Sequence, residues 1–204
     1  NETATLRAVL DDLQANFVLE GEIHWDAVAL ALYVPPARSW KNKFGKEFTL
    51  DMLGDELIER EPGDLYCAGT HRLNSLTILM RVDAETTVLS PRVRKRVREH
   101  LTRVAQILTR EQLPDGSWQT DWHYSLSGQE RDAFSPAGNV TSGILVTGHH
   151  VEWLMLLPDE MRPPDRVFAR AAQWLLDALS KQSEDKQWVE QWYCPASHAA
   201  RAVK

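Results

Sequence analysis

Cysteine is scarce. Cys67 and Cys194 are the only two in 204 residues, which excludes a disulfide framework and a multi-cysteine zinc cluster and leaves a single pairing open. A basic excess is also lacking. The formal net charge is −6, so general nucleic-acid binding is not expected. The basic run Arg92, Arg94, Lys95, Arg96, Arg98 is local and reads as a solvated helix face, with an acidic partner or anionic lipid as the alternative. No apolar run approaches the roughly 18 residues of a membrane span. Gly-rich phosphate loops, a Gly-x-Ser-x-Gly elbow and Cys-x2-Cys pairs are missing. Strand alternation nowhere outweighs helical spacing.

What is present is helical periodicity. Leu6, Val9, Leu10, Leu13 and Phe17 share one face across residues 3–19, and Gly21 breaks that helix. A second, nearly all-apolar helix runs from His24-Trp25 to Pro35-Pro36, and its continuous apolar surface predicts burial on most sides. Residues 37–48 read as a polar, aromatic loop. Thr49 then caps a helix through Ile58. Another helix follows Gly69-Thr70, and Ser90-Pro91 opens a long one carrying Val93, Val97, Leu101, Val104 and Leu108. Residues 123–142 read as a long irregular stretch holding Glu130 and Asp132, of a length usually functional or disordered. An apolar helix is predicted from His149 to Leu157, after Gly148. The last strong helix starts at Pro163-Pro164-Asp165, and residues 183–204 read as a polar C-terminal segment with a short helix near Ala199. With 43% apolar residues, the chain can bury a core as one domain over 1–204. It begins at Asn1 and reads as a processed chain or part of a longer one, so localisation stays open.

The stretch Gln112-Leu113-Pro114-Asp115-Gly116-Ser117-Trp118, with Trp122 beyond it, punctuates this pattern. Pro114 stops a helix, Asp115-Gly116 makes a turn, and Trp118 and Trp122 would share a face if helical. An internal repeat surrounds it. Gly69-Thr70-His71 and Gly148-His149-His150 each lead an apolar helix, and a proline-started helix follows each. Asp115-x2-Trp118-x3-Trp122 is matched by Asp185-x2-Trp188-x3-Trp192. Such units hide their apolar faces only by stacking.

The Gln-x3-Gly-x-Trp motif and the order of helix pairs over residues 60–192 resemble the prenyltransferase and squalene-oxidase repeat proteins of the terpenoid-cyclase toroid class. The resemblance implies an all-α fold of antiparallel helix hairpins forming a partial or small α/α toroid, either a fragment of a larger ring or half of a homo-oligomer. It also implies that the motif ties helix ends together. The cyclase acids are missing: there is no Asp-x-Asp-Asp run, and Val82-Asp83-Ala84-Glu85 lacks the Cys-Thr of the oxidosqualene acid motif. Fold carries over and cyclisation does not.

Chemistry is expected at four places. His149, His150 and Glu152 form a polar cluster on an apolar helix; His149 and Glu152 are i, i+3, a spacing that suits general acid–base work. The string Gly148-His149-His150-Val151-Glu152 resembles the helix carrying a catalytic His in sugar 2-epimerases of the N-acylglucosamine type. His71 holds the equivalent repeat position and would converge with His150, and His24 is a third, weaker candidate. Trp118, Asp121, Trp122, His123 and Trp153 suit ligand stacking, with Tyr124 beside them. Each of these residues has a purely structural alternative as a packed and satisfied core group. Asp64, Cys67 and His71 are zinc-capable types, but Asp-x2-Cys-x3-His does not match the protein prenyltransferases, so no metal and no cofactor is expected. Three function classes follow: a domain binding a small ligand in a central cavity or a partner, an acid–base enzyme on a sugar-like molecule, and an isoprenoid-handling protein.

Overall fold

The computed structural model describes residues 5–34, 39–60, 66–127, 139–182 and 184–204. Among them are ten α-helices and one two-stranded sheet, so the fold is all-α. The helices are α1 Leu6–Asn16, α2 His24–Tyr33, α3 Leu50–Glu59, α4 Thr70–Thr86, α5 Pro91–Glu111, α6 Tyr124–Ser127, α7 Val140–Met155, α8 Asp165–Gln182, α9 Lys186–Gln191 and α10 Tyr193–Ala202. No helix among the described residues is long and apolar enough to cross a membrane. The chain divides into two units, Asn1–Arg60 with Arg72–Leu101, and Glu61–His71 with Thr102–Lys204.

In the first unit, the stretch expected as a loop contains a hairpin, β1 Ser39–Lys41 against β2 Glu47–Thr49, with Trp40 opposite Phe48. One side chain organises its turn. Asn42 Oδ1 accepts the Phe44 and Lys46 amides, while its Nδ2 donates to the Phe17 carbonyl at 3.0 Å. Gly45 supplies the positive φ of +78°. The rings of Phe17, Trp40 and Phe48 then pack edge-on and stacked within 4.9–5.8 Å. Alternation over three residues is too short to register as strand periodicity, which is why the sequence showed only a loop.

Thr49 caps α3 by accepting the Met52 amide. Gly54 lets α3 approach α5, since a Cβ there would stand 2.9 Å from Val93 Cγ1. Buried Asp83 accepts the Leu89 amide at 2.7 Å and pairs with Arg94, closing the turn between α4 and α5. The basic run is matched by acids: Arg92 and Arg96 both reach Asp55, and Lys95 lies 3.7 Å from Glu99. His24 is buried at the start of α2 in this unit.

In the second unit, the Gln112–Trp118 segment does what its residue types require. Gln112 Nε2 donates to the Gly116 and Val167 carbonyls at 3.0 and 2.8 Å, tying the end of α5 to α8. Gly116 has φ +101°, and a Cβ there would strike the Arg170 backbone. Trp118 and Trp122 do not lie on one helix. They flank an irregular turn, yet both indoles are fully buried.

The apolar helix expected to begin after Gly148 begins at Val140, where Asn139 accepts the Ser142 amide as N-cap. Gly148 therefore sits inside α7, and its role is close packing: a Cβ would lie 2.9 Å from the Ala199 amide nitrogen. The polar C-terminal segment, expected to hold a short helix near Ala199, has that helix as α10 and a further one, α9, before it. Asp185 caps α9 through the Trp188 amide, and the Trp188 indole donates to Thr141 at 3.0 Å.

Candidate functional site

Three elements of the second unit carry the polar cluster. A 3₁₀ turn, Tyr66–Gly69, runs into the first residues of α4 and presents Cys67 and His71. Middle-helix α7 presents His149 and Glu152, and α10 presents His198. The close α7–α10 approach at Gly148 and Ala199 is what brings the last two elements together.

The imidazoles converge. His71 Nε2 lies 3.1 Å from His149 Nε2, and the ring centres are 5.1 Å apart. His198 stacks on His149 at 3.8 Å and stands 6.4 Å from His71. His198 Nδ1 meets Glu152 Oε2 at 2.6 Å, and Arg201 reaches the other oxygen at 3.3 Å. Thus the carboxylate expected beside His149 serves His198 instead. An i, i+3 pair shares a helix face, but Glu152 finds a nearer imidazole on another helix.

Hydrogen-bond roles follow from chemistry. A carbonyl only accepts, so His149 Nδ1, 2.7 Å from the Leu145 oxygen, carries the proton in the neutral ring and leaves Nε2 bare. The Trp153 indole N–H donates to His150 Nδ1 at 3.1 Å. His150 is fully buried, with its ring edge-on to Trp122 at 4.9 Å and to Trp118 at 5.6 Å. His71 therefore meets His149, while His150 is enclosed by Trp118, Trp122 and Trp153. The repeat equivalence of Gly69 and Gly148 misleads here: Gly69 ends a turn at φ +73°, whereas Gly148 lies within a helix.

The other expected residues are placed as follows. Asp121 is buried, and its carbonyl accepts the Tyr124 amide. His123 Nδ1 lies 3.1 Å from the Thr120 carbonyl, beside the Tyr124 ring. Trp118, besides edging His150, donates its indole N–H to the Leu108 carbonyl. Asp64, Glu130 and Asp132 lie outside the described residues.

Burial pushes the His149 pKa from 6.5 down to about 3. Repulsion from His198 and then His71 adds to this, and the Leu145 hydrogen bond opposes it. His150 moves the same way, by burial first and then by His149. Both are neutral near pH 7, whereas the unfolded chain protonates each below about 6.5. Below that pH the unfolded state binds more protons, so stability falls as pH drops from about 6.5 toward 3. Each histidine contributes a slope of at most about 1.4 kcal/mol per pH unit. Urea unfolding of chelator-treated protein from pH 7 to 4 should show this fall, flattened in His149→Gln; a midpoint independent of pH would contradict it.

Cys67 Sγ, His71 and His149 form a metal-capable set, their ligand atoms all within 4.8 Å of one another. Both cysteines are free thiols, which settles the pairing left open by the sequence. A signal in the sequence pointed here: Cys67-x3-His71 and Cys194-x3-His198 are twins. In each, the hydroxyl before the histidine bonds back to the cysteine carbonyl, Thr70 at 2.8 Å and Ser197 at 2.9 Å. Comparison with protein-family models, curated proteins and solved structures gives no match to this chain.

Proposed function

We propose that the chain is a helical-repeat domain of the α/α-toroid type, resembling the squalene-cyclase repeats without their chemistry, and that it binds a small polar ligand at the imidazole cluster of its second unit. One observation supports this above others. Three imidazoles and a carboxylate from three separate elements meet in a mostly buried place. Burying polar groups costs stability that apolar residues of similar size would not lose, so a cluster this dense favours a working site.

A second reading is acid–base catalysis on a sugar-like molecule, favoured by the Glu152–His198 pair. A carboxylate at 2.6 Å orients an imidazole and fixes which nitrogen faces it. That work falls to His198 rather than His149, because a base with a pKa of about 3 is a poor match for neutral pH. An isoprenoid reading would use a different place. A hollow of about 280 Å³ in the first unit is lined by Leu30, Tyr33, Trp40, Leu50 and Val88, with no charged side chain among the described residues of its lining. That size is at the lower edge of ligand pockets.

A thermal-shift screen with sugars and prenyl phosphates separates these readings. Sugars or other polar ligands should raise the wild-type midpoint and fail to do so for Glu152→Gln and His198→Asn. A shift by prenyl phosphates alone, unchanged in those variants, would overturn the proposal. Turnover of a bound sugar that is lost in His198→Asn would favour the enzyme.

A further inference from the structure

Cys67, His71 and His149 come from two elements separated by about half the chain, yet their ligand atoms gather within 4.8 Å. From this geometry we infer that these three side chains bind a zinc-class divalent cation, making the cluster a metal centre. This deepens the reading of the cluster as the working part of the domain, and rests on it only for that location.

Three independent features support the assignment. The first is ligand type. One thiol and two imidazoles suit zinc and related transition metals, whereas magnesium and calcium take oxygen ligands. The second is spacing. Zinc–nitrogen bonds of about 2.0–2.1 Å set tetrahedral partners roughly 3.3 Å apart, and the two Nε2 atoms already stand 3.1 Å apart. Binding therefore asks for little rearrangement at the histidines. The third is preorganisation. The Leu145 carbonyl holds the His149 proton on Nδ1, so Nε2 offers its lone pair toward His71. An outer hydrogen bond of this kind is the usual companion of a metal-bound histidine. Cys67 adds a backbone signature. Its φ is +55°, a left-handed conformation rare outside glycine and asparagine, and one that concentrates at functional sites.

His198 and Glu152 stand beside the three ligands. His198 stacks on His149 at 3.8 Å, and its Nδ1 faces the Glu152 carboxylate. The ligand set assigned here does not need them. They leave an imidazole oriented by a carboxylate beside the ligand set. Three protein ligands with one open position is the arrangement of working zinc sites, whereas structural sites close with four.

The test uses the full chain, stripped with chelator and titrated with zinc alone, then with cobalt. We expect one zinc per chain. Cobalt should show a sulfur-to-metal charge-transfer band and the intense visible bands of a tetrahedral site. Cys67→Ser should abolish the charge-transfer band and weaken zinc at least tenfold, with the far-ultraviolet circular dichroism unchanged. Cys194→Ser should leave both as in the wild type. His71→Asn gives a second variant at a half-buried ligand should Cys67→Ser fold poorly, and it should weaken zinc while keeping the sulfur band. Substoichiometric zinc, or a charge-transfer band that survives Cys67→Ser and vanishes in Cys194→Ser, would overturn the assignment. The two proposals fail separately. Zinc binding without any shift by sugars retains the metal and removes the polar-ligand reading, and sugar binding by chelated protein without zinc uptake does the reverse.

Discussion

Trp118→Ala should destabilise the second unit by about 3–5 kcal/mol, the usual cost of emptying a buried tryptophan site. The indole is fully buried, and its N–H donates to the Leu108 carbonyl at 2.9 Å, holding the turn after α5 against that helix. Its edge contact with His150 belongs to the same packing. The substitution thus removes volume, a hydrogen bond and one wall of the histidine's enclosure. Trp118→Phe discriminates among these losses. It keeps most of the ring, and the Leu108 carbonyl still accepts the Gln112 amide at 3.0 Å. The penalty should therefore fall to about 1–2 kcal/mol, near one net hydrogen bond plus a small void. Denaturant unfolding read by circular dichroism measures both. A loss under about 1 kcal/mol for Trp118→Ala, against the usual cost for a buried indole, would show that the turn is not the anchor its geometry suggests.

Phe48→Ala should cost the first unit a similar amount, about 3–5 kcal/mol. Phe48 is fully buried, sits opposite Trp40 in the hairpin, and meets the Phe17 ring at 4.9 Å. A two-stranded hairpin of this size is marginal alone and depends on what covers its face. Removing the ring should also release the hairpin from α1. Amide exchange at Trp40 and at position 48, the pair that the Asn42-to-Lys46 bond sets in hydrogen-bonding register, is then expected to speed up along with the global loss. If exchange there is unchanged while stability falls, the Asn42 bonds rather than the aromatic cluster hold the strands.

Much of the helical layout was legible because its causes are local. Spacing of apolar residues, the Thr49 cap, the Ser90-Pro91 start and the Gln112–Gly116 turn act within a few residues of themselves. The hairpin was hidden because its strands are three residues long, so its stability comes from Phe17 and from Asn42 reaching back along the chain. The early start of α7 was hidden for another reason. Gly148 was read as a boundary, although its missing side chain makes room for α10.

The candidate site was half legible. His71, His149 and Glu152 were singled out by type and spacing, and the structure brings all three into one cluster. His150 was paired with His71 by repeat logic, but a helix turns about 100° per residue. Adjacent histidines on α7 therefore face different neighbours, the tryptophans for His150 and the 3₁₀ turn for His149. His198 escaped notice because its segment looked like polar tail. Its twin spacing with Cys67 and His71 was the available signal.

By itself the amino-acid order determined that the chain is helical, where most coils start and stop, and that one turn would be anchored by Gln112 and Trp118. Only tertiary packing decided which imidazole faces which, because His71 and His149 are 78 positions apart and Glu152 and His198 are 46 apart. Contacts over such separations depend on how closely backbones approach, and between α7 and α10 that distance was set at Gly148 by an absent side chain rather than by any residue that advertises chemistry.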